Sequence, residues 1–152
     1  MHRMSHRRDH VFIIGAMKSG TTSLFQLLSQ HPSISPCRTK EPEFFGSDFS
    51  ESEWQEYDAL WDWDEETHRY ALEASTGYTK APGSSGVFDR ISNAPMGTSR
   101  FIYLIRHPLD RIDSQVRHAL FEGWGQSLDD GVPQDAIDFS RYAFQLDQLA
   151  WF

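Results

Sequence analysis

FIIGAMKSGTT, residues 12–22, joins an apolar run to a helical pattern through a turn of small residues, and this junction decides the fold. The backbone N–H groups of such a turn, together with the positive end of the helix dipole, form an anion site. Lys18 adds a full charge, and the hydroxyl groups of Thr21 and Thr22 can donate hydrogen bonds to the same anion. We interpret the stretch as a phosphate-binding loop rather than a plain strand-to-helix turn, because these residue types converge within it.

The rest of the chain alternates strands and helices. Buried strands are predicted at three short apolar runs, residues 11–14, 70–72 and 101–105. Runs without polar alternation are typical of a parallel sheet that is covered on both faces. Helical patterns occupy residues 21–30, the segment after a capping box of Ser50 and Glu53, residues 108–121 and residues 140–151, with a polar loop at 123–133. This order predicts an α/β fold of three layers, in which a P-loop-like parallel sheet is flanked by helices.

The composition is that of one soluble domain. The 152 residues suffice for a single hydrophobic core, and the net charge of -8 opposes binding to nucleic acid or to an anionic membrane. Cys37 is the only cysteine, so no internal disulfide can form, and no apolar run reaches the roughly 18 residues of a membrane span. We expect a cytoplasmic protein with a disordered arm at residues 1–10 and one domain at residues 11–152. The aromatic residues between Phe44 and Tyr78 are expected to pack in its core.

The position of the lysine narrows the choice of anion. A nucleotide triphosphatase loop has the pattern G-x-x-x-x-G-K-[ST], with lysine directly after the second glycine. Here Thr21 follows Gly20 and the lysine comes two residues earlier, so the pattern for holding β- and γ-phosphates with magnesium is absent. Glu73 follows only a short apolar run and Asp110 lies well past its strand, which weakens both as metal ligands. An ATP-dependent small-molecule kinase is the weaker alternative, and we expect no metal.

A second anion-binding pattern follows the third apolar run. Arg106 comes directly after that run, and Ser114 lies eight residues further on. The carboxyl ends of strands line the ligand crevice of an α/β sheet, and a planar guanidinium suits a phosphate. Ser114, two turns into the next helix, can donate to the same anion. From the residues alone, an ion pair of Arg106 with a carboxylate and a surface location for Ser114 are equally open.

The first motif resembles a known family. GAMKSGTTSL, residues 15–24, is similar to the 5′-phosphosulfate loop of sulfotransferases that use 3′-phosphoadenosine 5′-phosphosulfate (PAPS). The match is close to the carbohydrate branch, such as the heparan sulfate 3-O- and N-sulfotransferases, and to bacterial relatives. The resemblance implies that Lys18 contacts the 5′-phosphate and the bridging oxygen. It also implies that the phosphosulfate is held by Ser19, Gly20, Thr21 and Thr22.

The second motif is similar to the 3′-phosphate motif of the same family. The resemblance implies that Arg106 and Ser114 hold the 3′-phosphate that distinguishes PAPS from ATP. Two phosphate motifs in this order, about 90 residues apart, are more specific than either alone. The implied cofactor is PAPS, the implied product is adenosine 3′,5′-bisphosphate (PAP), and no metal is required.

KEPEFF, residues 40–45, resembles the E-x-x-F-F element of the carbohydrate sulfotransferases, whose first glutamate is the proposed base. The resemblance implies that Glu41 deprotonates the acceptor, while Lys18 stabilises the departing phosphate. Glu43 is the competing carboxylate within the motif, and we interpret it as a solvated charge.

Three residues are candidate contacts of the acceptor: Lys40, Tyr78 and His118. Tyr78 ends EASTGY, residues 73–78, which resembles the family's E-K-[ST]-P-x-Y stretch, although Ala74 stands where lysine is common. His118 lies four residues after Ser114 and therefore shares its helix face. The alternative for His118 is an ordinary surface or packing histidine.

Together these motifs predict a sulfotransferase that moves a sulfuryl group from PAPS to a hydroxyl or amine acceptor, with a small molecule or a carbohydrate as candidates. The family usually continues beyond this length, so we expect the C-terminal portion of the domain to be missing after residue 152. A truncated homologue that binds PAPS or PAP without turnover is the second hypothesis, and the kinase is the third. The pattern does not define the acceptor or the oligomeric state.

Overall fold

The fold is built on one sheet of four parallel strands. The computed structural model describes residues 7–123, 125 and 131–149. The strands are β1 (Asp9–Gly15), β2 (Ile34–Pro36), β3 (Tyr70–Ala74) and β4 (Ser99–Tyr103). They lie in the order β2-β3-β1-β4, and every neighbouring pair is parallel. This confirms the predicted α/β fold with a parallel sheet flanked by helices.

Six helices connect or follow these strands in the described part of the chain. They are α1 (Thr21–Leu28), α2 (Glu51–Asp58), α3 (Val87–Asn93), α4 (Pro108–Phe121), α5 (Gln134–Asp138) and α6 (Tyr142–Leu146). The predicted capping box at the start of α2 is present, since Ser50 and Glu53 bond each other's backbone N–H groups. Pro108 occupies the first turn of α4, as predicted, where its missing N–H leaves no bond unmade.

The two faces of the sheet are covered by different kinds of side chain. Phe12 and Ile14 of β1 face an aromatic cluster built largely from α2, α3 and the segment around Phe45. Ile13 points to the other face and packs near the apolar side chains of α1. Successive residues of a strand point to opposite faces, so one apolar run serves both layers. The aromatic residues between 44 and 78 thus pack mainly in the core, as predicted.

The structure corrects several boundaries. Strand β1 begins at Asp9, and His10 is 1% exposed, so neither belongs to a disordered arm. Strand β4 ends at Tyr103, which leaves Ile105 outside the sheet and 66% exposed. Strand β2 was not predicted, because three residues carry too weak a pattern.

The last predicted helix, residues 140–151, was wrong in extent. The chain instead forms α5, then α6 and a 3₁₀ turn at Asp147–Leu149. Residues 150–152 and most of the loop predicted at 123–133 lie outside the described residues, as do residues 1–6. Within the described part, no helix combines the length and apolarity that crossing a membrane requires.

Candidate active site

A cavity of about 430 Å³ opens at the carboxyl ends of β1 and β3. It brings together most of the residues that the sequence singled out. The predicted residues that line it are Lys18, Gly20, Thr21, Thr22, Lys40, Glu41, Ser114 and His118. Three further lining residues, Met17, Thr76 and Lys80, were not predicted. Ser19, Arg106 and Tyr78 are not among the lining residues.

The loop after β1 begins at a residue that only glycine can occupy. Gly15 has φ +146°, and a Cβ on it would lie 2.3 Å from Oγ1 of Thr79 and 2.9 Å from Cε2 of Tyr103. The Thr79 hydroxyl donates to the carbonyl of Ile14, which holds this side chain against the strand end. The close approach lets the chain turn sharply out of the sheet toward the cavity.

The loop presents polar groups at the start of α1. Lys18 and Gly20 both adopt left-handed backbone conformations, with φ 65° and 92°. Among the described residues no side chain caps α1, so its first N–H groups remain available. The buried Oγ of Ser19 finds no hydrogen-bond partner among the described residues. A lysine, uncapped helix N–H groups and an unpaired hydroxyl together fit an anionic ligand.

Arg106 lies at the edge of this site rather than in the cavity wall. Its side chain is exposed, and Nη1 donates to the carbonyl of Lys18 at 3.4 Å. The hydroxyl of Tyr142 donates to the Arg106 carbonyl at 2.7 Å, which fixes the backbone there. Ser114 and His118 lie on α4 and reach the cavity from one helix face, as their spacing predicted.

Glu41 lines the same cavity as the residues of the loop. Its Oε1 lies 2.6 Å from Nζ of Lys40, and its Oε2 accepts a hydrogen bond from Oγ1 of Thr76 at 3.2 Å. The backbone N–H of Glu41 donates to the carbonyl of Ala74 at 2.8 Å, which ties the segment to the end of β3. The Glu41 side chain stays 34% exposed. It is thus both oriented and accessible from the cavity.

Two interpretations made from the sequence were wrong. Tyr78 is fully buried, and its hydroxyl accepts from the backbone N–H of Phe45 at 3.2 Å, so it cannot contact an acceptor in the cavity. Glu43 is not a solvated charge. It is half-buried, and its Oε1 accepts from the N–H of Gly77 at 2.8 Å. Burial raises the pKa of the Glu43 carboxyl above its ordinary value.

Glu73 lies in β3 with no exposed surface. The hydroxyl of Tyr57 donates to its Oε2, and burial raises the pKa of this carboxyl. Within the described residues no group of three or more histidine, cysteine or acidic side chains is placed to hold a metal ion. Glu73 therefore serves as a buried polar group of the core.

The sequence reasoning also missed Arg111, the largest fully buried side chain of the described chain. It lies on α4 and donates to Gln115 Oε1 at 2.8 Å, to Ser140 Oγ at 2.6 Å and to the carbonyl of Ala136. A fourth, longer bond of 3.4 Å reaches the carbonyl of Met17 in the loop. The available signal was its place between Arg106 and Ser114 in the motif that follows the third apolar run, which does not by itself indicate burial.

Comparison with known proteins agrees with the fold. The family model described as "Sulfotransferase family" matches residues 10–150. A curated relative, the membrane-associated sulfotransferase kil1 of Dictyostelium discoideum, is 31% identical over 115 residues. That alignment covers 71% of this chain and 22% of the relative, so the chain spans about a fifth of that protein's length.

A solved structure gives the same picture of the fold. The sulfotransferase from Alicyclobacillus acidocaldarius superposes with a TM-score of 0.69 at 24% identity, over 93% of this chain and 67% of that one. A four-stranded parallel sheet flanked by helices places the chain in the α/β class. The match over residues 10–150 identifies it further: the chain belongs to the sulfotransferase family.

Proposed function

We propose that this protein is a sulfotransferase that takes a sulfuryl group from PAPS and transfers it to a hydroxyl or amine acceptor. The observation that carries the proposal is that the loop lysine, Lys18, and the carboxylate of Glu41 line the same cavity. Membership of the sulfotransferase family supports the reaction class. The donor, the acceptor and the roles of individual residues are inferred from the chemistry of this cavity.

The loop is suited to the phosphosulfate end of the donor. The N-terminus of α1 favours negative charge, and Lys18, Thr21 and Thr22 add donors to the same wall. The unpaired Oγ of Ser19 gives the loop one more donor for an anion. Ser114 lines the same cavity and the exposed Arg106 lies at its edge, which supports both residues as candidates to hold a 3′-phosphate.

The acceptor side supplies a base. As the acceptor oxygen or nitrogen forms its bond to sulfur, it gives its proton to a carboxylate oxygen of Glu41. The bond from sulfur to the bridging phosphate oxygen breaks in the same step, and the negative charge that develops on PAP lies beside Lys18. Lys40 and Thr76 hold the Glu41 carboxylate in place through its two oxygens. No metal takes part in this scheme.

The acceptor is a small molecule or a carbohydrate that carries a free hydroxyl or amine. The wall next to Glu41 is polar, since it includes Lys40, Thr76 and Lys80, and this suits a hydroxylated acceptor better than an apolar one. A homologue that binds PAP without turnover is the second candidate, because the groups that line the loop side of the cavity would hold PAP whether or not Glu41 acts as a base.

The proposal is tested with labelled PAPS and a panel of sugar, phenol and amine acceptors. Sulfate transfer is expected to fall by about 100- to 10,000-fold in Glu41→Gln, the range that loss of a general base produces. Affinity for PAP, measured by calorimetry, should stay within about twofold, because Glu41 does not bind the donor. Glu56→Gln, an exposed glutamate on α2, is the matched control and should retain full activity.

The same protein samples test whether the donor is PAPS and whether the protein is instead a homologue without turnover. PAP should raise the melting temperature clearly more than ATP does at equal concentration, since only the ligand that binds the native state stabilises it. Equal stabilisation by both nucleotides would contradict a PAPS site. PAP binding without transfer to any acceptor in the panel would support the non-catalytic homologue.

A further inference from the structure

The segment that carries Glu41 is bonded along its length to the segment after β3. The backbone N–H of Glu43 donates to Oγ of Ser75 at 3.1 Å, and the N–H of Phe45 donates to the hydroxyl of Tyr78 at 3.2 Å. With the bond from Glu41 to Ala74, alternate residues of 41–45 are thus tied to 74–78. Every bond is made by a backbone donor, so together they fix the path of the chain rather than a single rotamer.

This segment needs such support because its backbone is strained. Glu41 and Glu43 both adopt left-handed conformations, with φ 56° and 51°. A residue other than glycine loses about 1–2 kcal/mol in that region. The surrounding bonds must therefore hold two unfavourable conformations on either side of Pro42, within the motif that carries the base.

The carboxylate of Glu43 accepts a hydrogen bond from the turn that carries the cavity residue Thr76. Its Oε1 accepts from the N–H of Gly77 at 2.8 Å, inside the 3₁₀ turn at Thr76–Thr79. No side chain at the start of that turn caps it, since Ser75 makes no capping bond. Glu43 supplies the missing acceptor from a distant part of the sequence. The turn also carries Thr76, whose hydroxyl donates to Oε2 of Glu41.

Glycine is needed at position 77 because the Glu43 carboxylate leaves no room for a side chain, not because of the backbone conformation. Its φ is not in the left-handed region, but a Cβ on it would lie 2.1 Å from Oε2 of Glu43. Any larger residue would push the carboxylate off the turn. The fit therefore requires both partners, a glutamate at 43 and a glycine at 77.

We propose that Glu43 is a positioning residue for the catalytic carboxylate: by capping the turn at Gly77 it sets Thr76, and through Thr76 it orients Glu41. The inference rests on the proposed function, in which Glu41 is the base. Glu43 itself does not line the cavity, so it acts through Thr76 and not on the substrate. The charged groups that act on it are Lys80, Lys40, Glu41 and Glu73.

A double-mutant cycle tests the matched pair. Glu43→Ala and Gly77→Ala should each lower kcat by about 10- to 100-fold, the cost of a displaced catalytic group, with PAP affinity within about twofold of the wild type. The double variant should be no slower than either single one, because removing the carboxylate makes room for the methyl group. Glu43→Gln keeps an oxygen acceptor for Gly77 and should stay within about threefold of the wild type.

Two outcomes would overturn the inference. Multiplicative losses in the double variant would mean that the two residues act independently. A Gln variant as slow as the Ala variant would mean that the charge of Glu43, and not its capping bond, is what matters.

Crystal structures of the same variants with PAP separate this inference from the proposed function. The bond from Thr76 to Glu41 should be lost in Glu43→Ala and in Gly77→Ala and kept in Glu43→Gln. If the wild type sulfates no acceptor, the proposed function fails, while these structures still decide whether Glu43 positions Glu41. An unchanged Glu41 in all variants would overturn the inference whatever the activity.

Discussion

Strand β1 has a buried basic side chain near each of its ends, and the protein treats the two in opposite ways. At the amino end, His10 is 1% exposed and packs its ring against Phe12 and Trp61. Just beyond the carboxyl end, Arg111 is fully buried and donates to the carbonyl of Met17 in the loop after β1. His10 is held neutral, whereas Arg111 stays charged.

The difference follows from the acceptors that each end provides. Nδ1 of His10 donates to the Arg8 carbonyl at 2.9 Å, while the buried Nε2 has no partner among the described residues. Burial therefore lowers the pKa of His10 to about 4, and the ring is neutral at pH 7. Arg111 instead meets four oxygen acceptors, and a guanidinium is not deprotonated in proteins. The two side chains show that the number of oxygen acceptors around a buried basic group decides whether the group stays charged.

Among the proposed variants, Gly15→Ala, at the carboxyl end of β1, is expected to lower the stability most. The added methyl group would overlap Thr79 and Tyr103 at a φ that suits only glycine, so we expect a loss of about 4 kcal/mol in the free energy of unfolding. Urea denaturation with linear extrapolation measures it. Gly123→Ala is the control, because that residue also has a positive φ, 76°, but nothing within 4 Å of its Cβ position. It should lose only about 1–2 kcal/mol, and equal losses in both variants would contradict the steric argument.

Arg111→Met tests whether the buried charge supports the loop. The carbonyl of Met17 and the Gln115 amide oxygen would lose the donor that Arg111 supplies, and the Ala136 carbonyl would keep only the Ser140 hydroxyl among the described donors, so we expect a loss of about 3 kcal/mol in the free energy of unfolding. The loss should be the same at pH 5 and pH 8, since the guanidinium does not titrate. PAP affinity should fall by about tenfold as the loop loosens.

Arg117→Met is the matched control for that variant. Arg117 lies on the same helix, is exposed and pairs only with Asp113 among the described residues, so its loss should change stability by less than about 0.5 kcal/mol. A stable Arg111→Met protein with unchanged PAP affinity would show that the buried charge is not needed by the loop.

The loop between β1 and α1 could be predicted because its parts are contiguous in sequence. Gly15, Lys18 and the two threonines need only a strand before them and a helix after them, and both have clear patterns. The same holds for Ser114 and His118, which share a helix face by their spacing. Local sequence determines these positions, so a motif is enough to place them.

The part of the cavity around Glu41 could not be predicted as completely as the loop. Glu41 was identified through its motif, but Thr76 and Lys80 reach the cavity only because residues 74–80 fold against 41–45. That contact joins segments more than 30 residues apart and has no local pattern. Tyr78 was misplaced for the same reason, and His10 was assigned to an arm because Trp61, which encloses it, is distant in sequence.

The smallest expected change in stability concerns His10 at the amino end of β1, and it depends on pH. The unfolded chain protonates His10 below about pH 6.5, whereas the folded protein resists protonation down to about pH 4. The unfolded state therefore binds more protons in this window, and stability falls as the pH drops through it. At pH 5 the loss from this one group is about 2 kcal/mol.

His10→Gln isolates this effect. The amide can still donate to the Arg8 carbonyl but does not titrate, so the advantage of the wild type over the variant should shrink by about 2 kcal/mol between pH 8 and pH 5. Glu43 and Glu73, whose pKa values are raised by burial, act in the opposite direction over part of this range. They are present in both proteins and cancel in the difference between the two unfolding curves. A difference that stays constant with pH would mean that His10 is not held neutral. The proposed contrast between a neutral His10 and a charged Arg111 would then be wrong.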